Sequence, residues 1–298
     1  MTAPVAAASR VLVVASELPP GPGGIGTHAH SLAVALAAQG RAVALLGSQD
    51  YVAESDRAAF ARTSPVPVQR WPGAADPVRT AVRRRRALRR AISSFRPDVV
   101  VASGGRVLWL ASVVCPAAGV PWVAVVHGTE LTGGAGSRYL TRRALRSASR
   151  IVAVSRFTAG LVADLGCARP VDVIPNGADA DLHRQDPTAG AAFRQRHGLG
   201  DRPMLLTVGN VTERKGQHLV VDALPRIVAA VPEVMYVVVG RPTTGDALRA
   251  RARALGVADH VVVTGQVDAT EVSAAYAAAD VFAMTSTTTA SGDVEGFG

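Results

Sequence analysis

Short apolar runs alternate with longer amphipathic stretches along almost the whole chain, and no other feature restricts the fold as strongly. Apolar runs at 11–15, 42–47, 99–102, 122–126, 151–154 and 171–174 have strand length, and helix-like stretches at 27–38, 77–95, 107–117, 137–147 and 157–165 lie between them. A strand buried on both faces reads as continuous Val, Ile and Leu, and a parallel neighbour needs a crossover long enough for a helix. The pattern therefore predicts a doubly wound parallel α/β sheet. After Pro175-Asn176-Gly177 and a polar stretch to residue 202 the rhythm restarts, with strands at 204–208, 234–239, 261–263 and 281–284 and helices at 216–231, 246–255 and 270–278. Two Rossmann-like domains are expected, 1–180 and 181–298. The second is expected to be incomplete, because the loop from 285 leads into Glu295-Gly296-Phe297-Gly298 with no helix after it.

At 298 residues, 48% of them hydrophobic, the chain has enough apolar mass for two cores, and with 4% aromatics those cores are expected to be mainly aliphatic. Residues 107–126 are free of charge and long enough by count to span a bilayer. Pro116, Gly119 and Pro121 interrupt the run, so it is read as a buried helix, a turn and a strand. The first nine residues lack a signal peptide's basic start. Cys115 and Cys167 fit no metal spacing and no disulfide framework, which suits a reducing cytoplasm.

Charge is unevenly spread. Residues 1–180 carry 21 arginines against 10 acidic residues, and residues 181–298 carry 11 basic against 13 acidic. A basic first half suits nucleic acid, an anionic membrane or an acidic small substrate, and biased composition is the fourth explanation. Its densest segment is 77–95, where Val78, Val82, Leu88, Ile92 and Phe95 recur near helical spacing and Arg79, Arg83, Arg86 and Arg90 are among seven intervening arginines. This is a basic amphipathic helix, suited to peripheral docking on anionic lipid at the inner face of the plasma membrane or to a solvated surface.

Gly21, Gly23 and Gly26 satisfy the dinucleotide spacing G-x-G-x-x-G, and Asp50 stands where a ribose-binding acid would. A dinucleotide-dependent oxidoreductase is thus one reading. Glu17-Leu18-Pro19-Pro20 lengthens the turn before the glycines and weighs against it. A glycine loop before a helix still lets backbone N–H groups approach a phosphate or a sugar acid.

Several segments at expected strand ends share one resemblance: Gly23-Gly24-Ile25-Gly26, His127-Gly128-Thr129-Glu130, Val154-Ser155, Ile174-Pro175-Asn176-Gly177-Ala178-Asp179, Val208-Gly209-Asn210 through Arg214-Lys215-Gly216, and Glu295-Gly296-Phe297-Gly298. Together, and in this order, they resemble the retaining GT-B glycosyltransferases of family 4. The resemblance implies transfer of a hexose from a nucleotide sugar to an acceptor hydroxyl of a glycan, lipid or small molecule, with retained anomeric configuration and no metal or other cofactor. Nucleic acid is not an expected partner. It implies that Arg214 and Lys215 neutralise the donor diphosphate, that His127 contacts the transferred sugar and that Glu295 hydrogen-bonds it. Gly24, Gly26, Asn210, Gly216, Gly296 and Phe297 would complete the donor contacts, and Glu130 would bind the acceptor hydroxyl or cap its loop.

Two departures qualify that pattern. Position 210 is asparagine where the family often has arginine, which leaves one phosphate contact to Arg214 alone or unmade. The second carboxylate of the family's E-x7-E pattern would fall at 303, so a non-catalytic remnant is the alternative to an active transferase.

Overall fold

The computed structural model describes residues 9–21, 23–50, 52–72 and 76–297. Gly298 and all but the last of the first nine residues lie outside that range. Contacts divide the chain into two units, one ending at Asn176 and one running from Gly177 to Gly296.

The first unit has seven strands: β1 (Arg10–Ala15), β2 (Ala42–Gly47), β3 (Val68–Arg70), β4 (Val99–Ser103), β5 (Trp122–Val126), β6 (Arg150–Ala153) and β7 (Val171–Val173). All pair in parallel, in the order β3-β2-β1-β4-β5-β6-β7. Its helices are α1 (Gly24–Ala38), α2 (Glu54–Thr63), α3 (Pro77–Phe95), α4 (Gly105–Ala117), α5 (Thr129–Thr132), α6 (Ala135–Ser147) and α7 (Arg156–Asp164). Strand side chains alternate between faces, and the two faces carry separate cores. Leu12 and Val14 pack with Leu88 and Ile92 of α3, Leu108 and Ala111 of α4 and Leu145 of α6. Val11 and Val13 pack with Ala29 and Ala33 of α1 on the other side.

The uncharged run 107–126 is all but the first two residues of α4, with Pro116 in its last turn, then a turn through Gly119 and Pro121 into β5, and no helix among the described residues is long and apolar enough to cross a membrane. Helix α3 starts where its chemistry directs: the Asp76 side chain accepts from the Arg79 N–H at 2.6 Å and Pro77 takes the first helical position. All three tryptophans, Trp71, Trp109 and Trp122, belong to this unit. Trp71 and Trp122 are fully buried, and Trp109 donates to Thr141 Oγ1.

The second unit contains β8 (Met204–Val208), β9 (Met235–Val239), β10 (Val261–Gly265) and β11 (Val281–Phe282), parallel in the order β10-β9-β8-β11. Helices α8 (Pro187–Arg196), α9 (Gln217–Ala230), α10 (Gly245–Ala254) and α11 (Ala269–Ala278) surround it. Phe193 of α8 is fully buried with Met204, Leu206 and Ala275, so the polar stretch before 202 holds a helix that its composition concealed.

Candidate functional site

In a parallel sheet the strands' carboxyl ends and their following loops are where ligands bind.

In the first unit β5 leads into His127, and Gly128 takes φ 122°, ψ −58° before the single-turn α5. The Glu130 carboxylate turns back and accepts from the His127 backbone N–H at 2.6 Å. Glu130 is only 7% exposed, and its Oε2 has no hydrogen-bond partner. Burial raises its carboxyl above the ordinary range, against opposing hydrogen bonds led by that from the His127 backbone. Its first visible duty is therefore to brace the loop.

The His127 ring is oriented from a neighbouring strand. Ser103 closes β4 beside β5, and its Oγ lies 2.7 Å from His127 Nε2. His28 of α1 stands edge-on to the same ring at 5.1 Å. Burial, with a smaller push from His28, lowers the His127 imidazole to about 3, so it is neutral at physiological pH. A neutral imidazole can donate or accept a hydrogen bond from a sugar hydroxyl without bringing charge to it.

The glycine run divides into two kinds of position. Helix α1 begins at Gly24, three residues earlier than periodicity predicts, so Gly24 and Gly26 lie in its first turn. A Cβ on Gly26 would stand 3.0 Å from Glu17 O and Leu18 Cα, whereas one on Gly24 would meet nothing within 4 Å. Gly26 thus permits close packing of helix on loop, and Gly24 leaves the open helix end accessible. Asp50 is paired with Arg84 at 3.1 Å and Arg70 at 3.8 Å, which occupies the acid that the dinucleotide reading needed.

In the second unit β8 runs into Gly209-Asn210, a 3-10 turn over Glu213–Lys215, and Gly216 at φ 69°, ψ 18° as the N-cap of α9. Gln217 is buried and its Nε2 donates to the Asn210 carbonyl at 3.1 Å. The loop after β11 lies along this turn: Thr285 Oγ1 donates to Gly216 O at 2.7 Å and Thr287 N donates to Arg214 O at 2.9 Å. A Cβ on Gly216 would collide with the Thr285 carbonyl, and its positive φ alone favours glycine.

Arg214 and Lys215 converge on one carboxylate. Arg214 Nη1 and Lys215 Nζ each lie 2.5 Å from Glu295 Oε2, and Arg214 Nε lies 3.2 Å from Asp293 Oδ2. Two cations and the N-terminal end of α9 therefore face the same small volume, held in place by carboxylates of the last loop. Gly296 and Phe297 follow outside regular structure, with Phe297 exposed. Among the described residues no group of three or more His, Cys, Asp or Glu side chains is placed to hold a metal ion.

Ser103, His28 and Asp293 were not among the residues singled out by sequence. Ser103 is 24 positions from His127, and only the β4–β5 pairing joins them. Asp293 had a readable signal, standing two residues before Glu295 in the same loop.

Residues 22–182 match Glycosyltransferase Family 4 and residues 191–298 match Glycosyl transferases group 1. The chain belongs to glycosyltransferase family 4. A Mycobacterium tuberculosis relative named GDP-mannose-dependent alpha-(1-6)-phosphatidylinositol monomannoside mannosyltransferase is 34% identical over 97% of this family 4 chain and 76% of its own length. A Mycolicibacterium smegmatis protein of the same name is 39% identical over 59% of this chain, a match that spans 47% of the relative. Among solved structures, Anabaena HepE in complex with UDP-glucose aligns with TM-score 0.76 at 19% identity, over 93% of this chain and 74% of that one. Sucrose-phosphate synthase from Thermosynechococcus elongatus aligns with TM-score 0.73 at 18% identity, over 93% and 75%. The fold is GT-B, with a seven-stranded and a four-stranded parallel sheet.

Proposed function

We propose that this chain transfers mannose from GDP-mannose to a hydroxyl of a phosphatidylinositol-mannoside-like acceptor, with retained anomeric configuration. The observation that carries the donor side is the convergence of Arg214 and Lys215 at the start of α9. As the glycosidic bond breaks, the departing diphosphate gains negative charge, and two fixed cations at a helix N-terminus stabilise that charge without a metal ion. The choice of mannose and of GDP rests on the relatives named above, 34% and 39% identical. Retention of configuration rests on the family 4 resemblance.

Within this reading Gly216, Asn210, Gly296 and Phe297 offer backbone contacts to the donor, Glu295 exchanges its cations for the sugar hydroxyls, and neutral His127 orients the sugar. Gly24 and Gly26 present the start of α1. The first unit, to about residue 180, takes the acceptor and the second takes the nucleotide. Glu130 takes the second of its two expected roles and keeps its loop in shape, because its buried carboxylate turns back onto the His127 N–H.

The test is turnover by the 298-residue chain with GDP-mannose, UDP-glucose and ADP-glucose against a phosphatidylinositol monomannoside, with the anomeric configuration of the product read by NMR. Transfer from GDP-mannose alone, giving an α-linked product, supports the proposal. Transfer from another donor, or a β-linked product, overturns it. GDP binding without turnover favours the non-catalytic alternative.

A further inference from the structure

In the first sheet β2 and β3 extend to one side of β1, and β4 to β7 extend to the other. Such a change of direction opens a crevice at the carboxyl ends of β1 and β4, and ligands of open parallel sheets bind there. Two backbone hydrogen bonds fix the segment that leaves β1. Ser16 N donates to Ser103 O of β4 at 3.1 Å, and Leu18 N donates to Ser48 O beyond the end of β2 at 2.8 Å. Glu17 stands between these anchors, at the mouth of the crevice.

The Glu17 side chain is half-buried and has no hydrogen-bond or ion-pair partner among the described residues. Its carboxyl group rests on Gly23, the N-cap of α1, where a Cβ would overlap both carboxyl oxygens. Gly23 takes φ −101°, ψ 143°, extended backbone that any residue adopts, so the demand for glycine there comes from Glu17. The other carboxylates at this sheet edge are engaged: Glu130 accepts from the His127 N–H, and Asp50 is paired with Arg84 and Arg70. The catalytic loop is close at hand. Ser103, whose carbonyl anchors Ser16, also meets His127 Nε2 through its hydroxyl, and His28, one turn of α1 beyond Gly24, stands edge-on to the His127 ring.

We propose that Glu17 is an acceptor-binding residue, whose carboxylate accepts a hydrogen bond from a ring hydroxyl of the acceptor in the crevice beside neutral His127. The positive end of α1 favours a negative charge, and the chain's own carboxylate already supplies it. A phosphate entering there meets like charge, whereas a hydroxyl meets a charged acceptor with free lone pairs. This assignment rests on the sugar transfer proposed above, and it gives the first unit the hydroxyl-binding group that Glu130, spent on its own loop, does not provide.

The experiment is calorimetric titration of the 298-residue chain with deacylated phosphatidylinositol monomannoside and, separately, with GDP. Glu17→Gln keeps the shape and removes the charge. It is expected to weaken acceptor binding by about ten- to a hundredfold, the range for a hydrogen bond to a charged group, and to leave GDP affinity and the thermal unfolding midpoint unchanged. Gly23→Ala keeps the charge and pushes the carboxylate aside. Its loss of acceptor affinity should be similar, and the double variant should lose little more than either single one, because both changes act on one contact. Equal acceptor affinity in the parent and Glu17→Gln would overturn the assignment. So would tighter GDP binding by that variant, which would make Glu17 a guard against the donor phosphate, or a lowered unfolding midpoint, which would make it a structural support. A parent that binds GDP and not the acceptor would instead overturn the acceptor proposed above, and the role of Glu17 with it.

Discussion

The ammonium of Lys215 lies 2.5 Å from Oε2 of Glu295, so the chain's single lysine is paired with a carboxylate of the last loop. Arg214 shares that oxygen. The pair poses a competition, because a diphosphate entering the turn must displace the carboxylate from the cations. On the proposed function, the freed carboxylate would then accept from sugar hydroxyls.

Glu295→Gln should therefore separate nucleotide affinity from sugar handling. Affinity for free GDP is expected to rise about fivefold, from loss of a competing ion pair worth about 1 kcal/mol, while transfer falls. Calorimetric GDP binding beside initial rates checks this, and weaker GDP binding by the variant would refute the competition.

Arg214→Ala and Lys215→Ala should each weaken GDP binding by about ten- to a hundredfold, the range for a hydrogen bond to a charged group. The Arg214 variant also frees Asp293 and Glu295 from one partner. Unchanged GDP affinity in both variants would remove the diphosphate from this turn.

Glycine substitutions should sort by geometry. Gly24→Ala has open space and is expected to change unfolding free energy by less than about 0.5 kcal/mol. Gly26→Ala pushes against loop backbone, and Gly216→Ala combines a positive φ with the Thr285 carbonyl, so each should cost about 1–3 kcal/mol. Thermal unfolding of the three variants gives the ranking.

The buried His127 should make stability depend on pH in a defined window. Its unfolded imidazole titrates near 6.5 and its folded one at about 3. Between those values the unfolded chain takes up a proton that the folded chain does not. Stability fully present above 6.5 is therefore lost as pH falls towards 3. Between pH 7 and 4.5 the parent should lose about 2.5 kcal/mol more than His127→Asn in urea unfolding. Equal losses would mean that the ring is not held neutral.

Ser103→Ala should slow transfer and leave GDP affinity unchanged, because it releases the His127 ring without touching the nucleotide turn. A fall in GDP affinity would give Ser103 another role.

The strands and long helices were legible because burial on both faces leaves unbroken Val, Ile and Leu, and because α3 marks its start with Asp76 and Pro77. Helix α2 and strand β3 were not: α2 has no buried residue and β3 spans only three, so neither leaves an apolar period. The Arg214-Lys215-Gly216 and His127 loops were readable as motifs at strand ends. Their side-chain pairings were not, because Ser103 reaches His127 through strand pairing and Glu295, itself readable in its motif, meets Lys215 from 80 positions along the chain.

With all three tryptophans in the first unit, the chain has a built-in optical reporter for one half of itself. Tryptophan emission follows the opening of the seven-stranded sheet and is blind to the four-stranded one. A ligand that shifts circular dichroism melting without shifting that emission has stabilised the second unit alone.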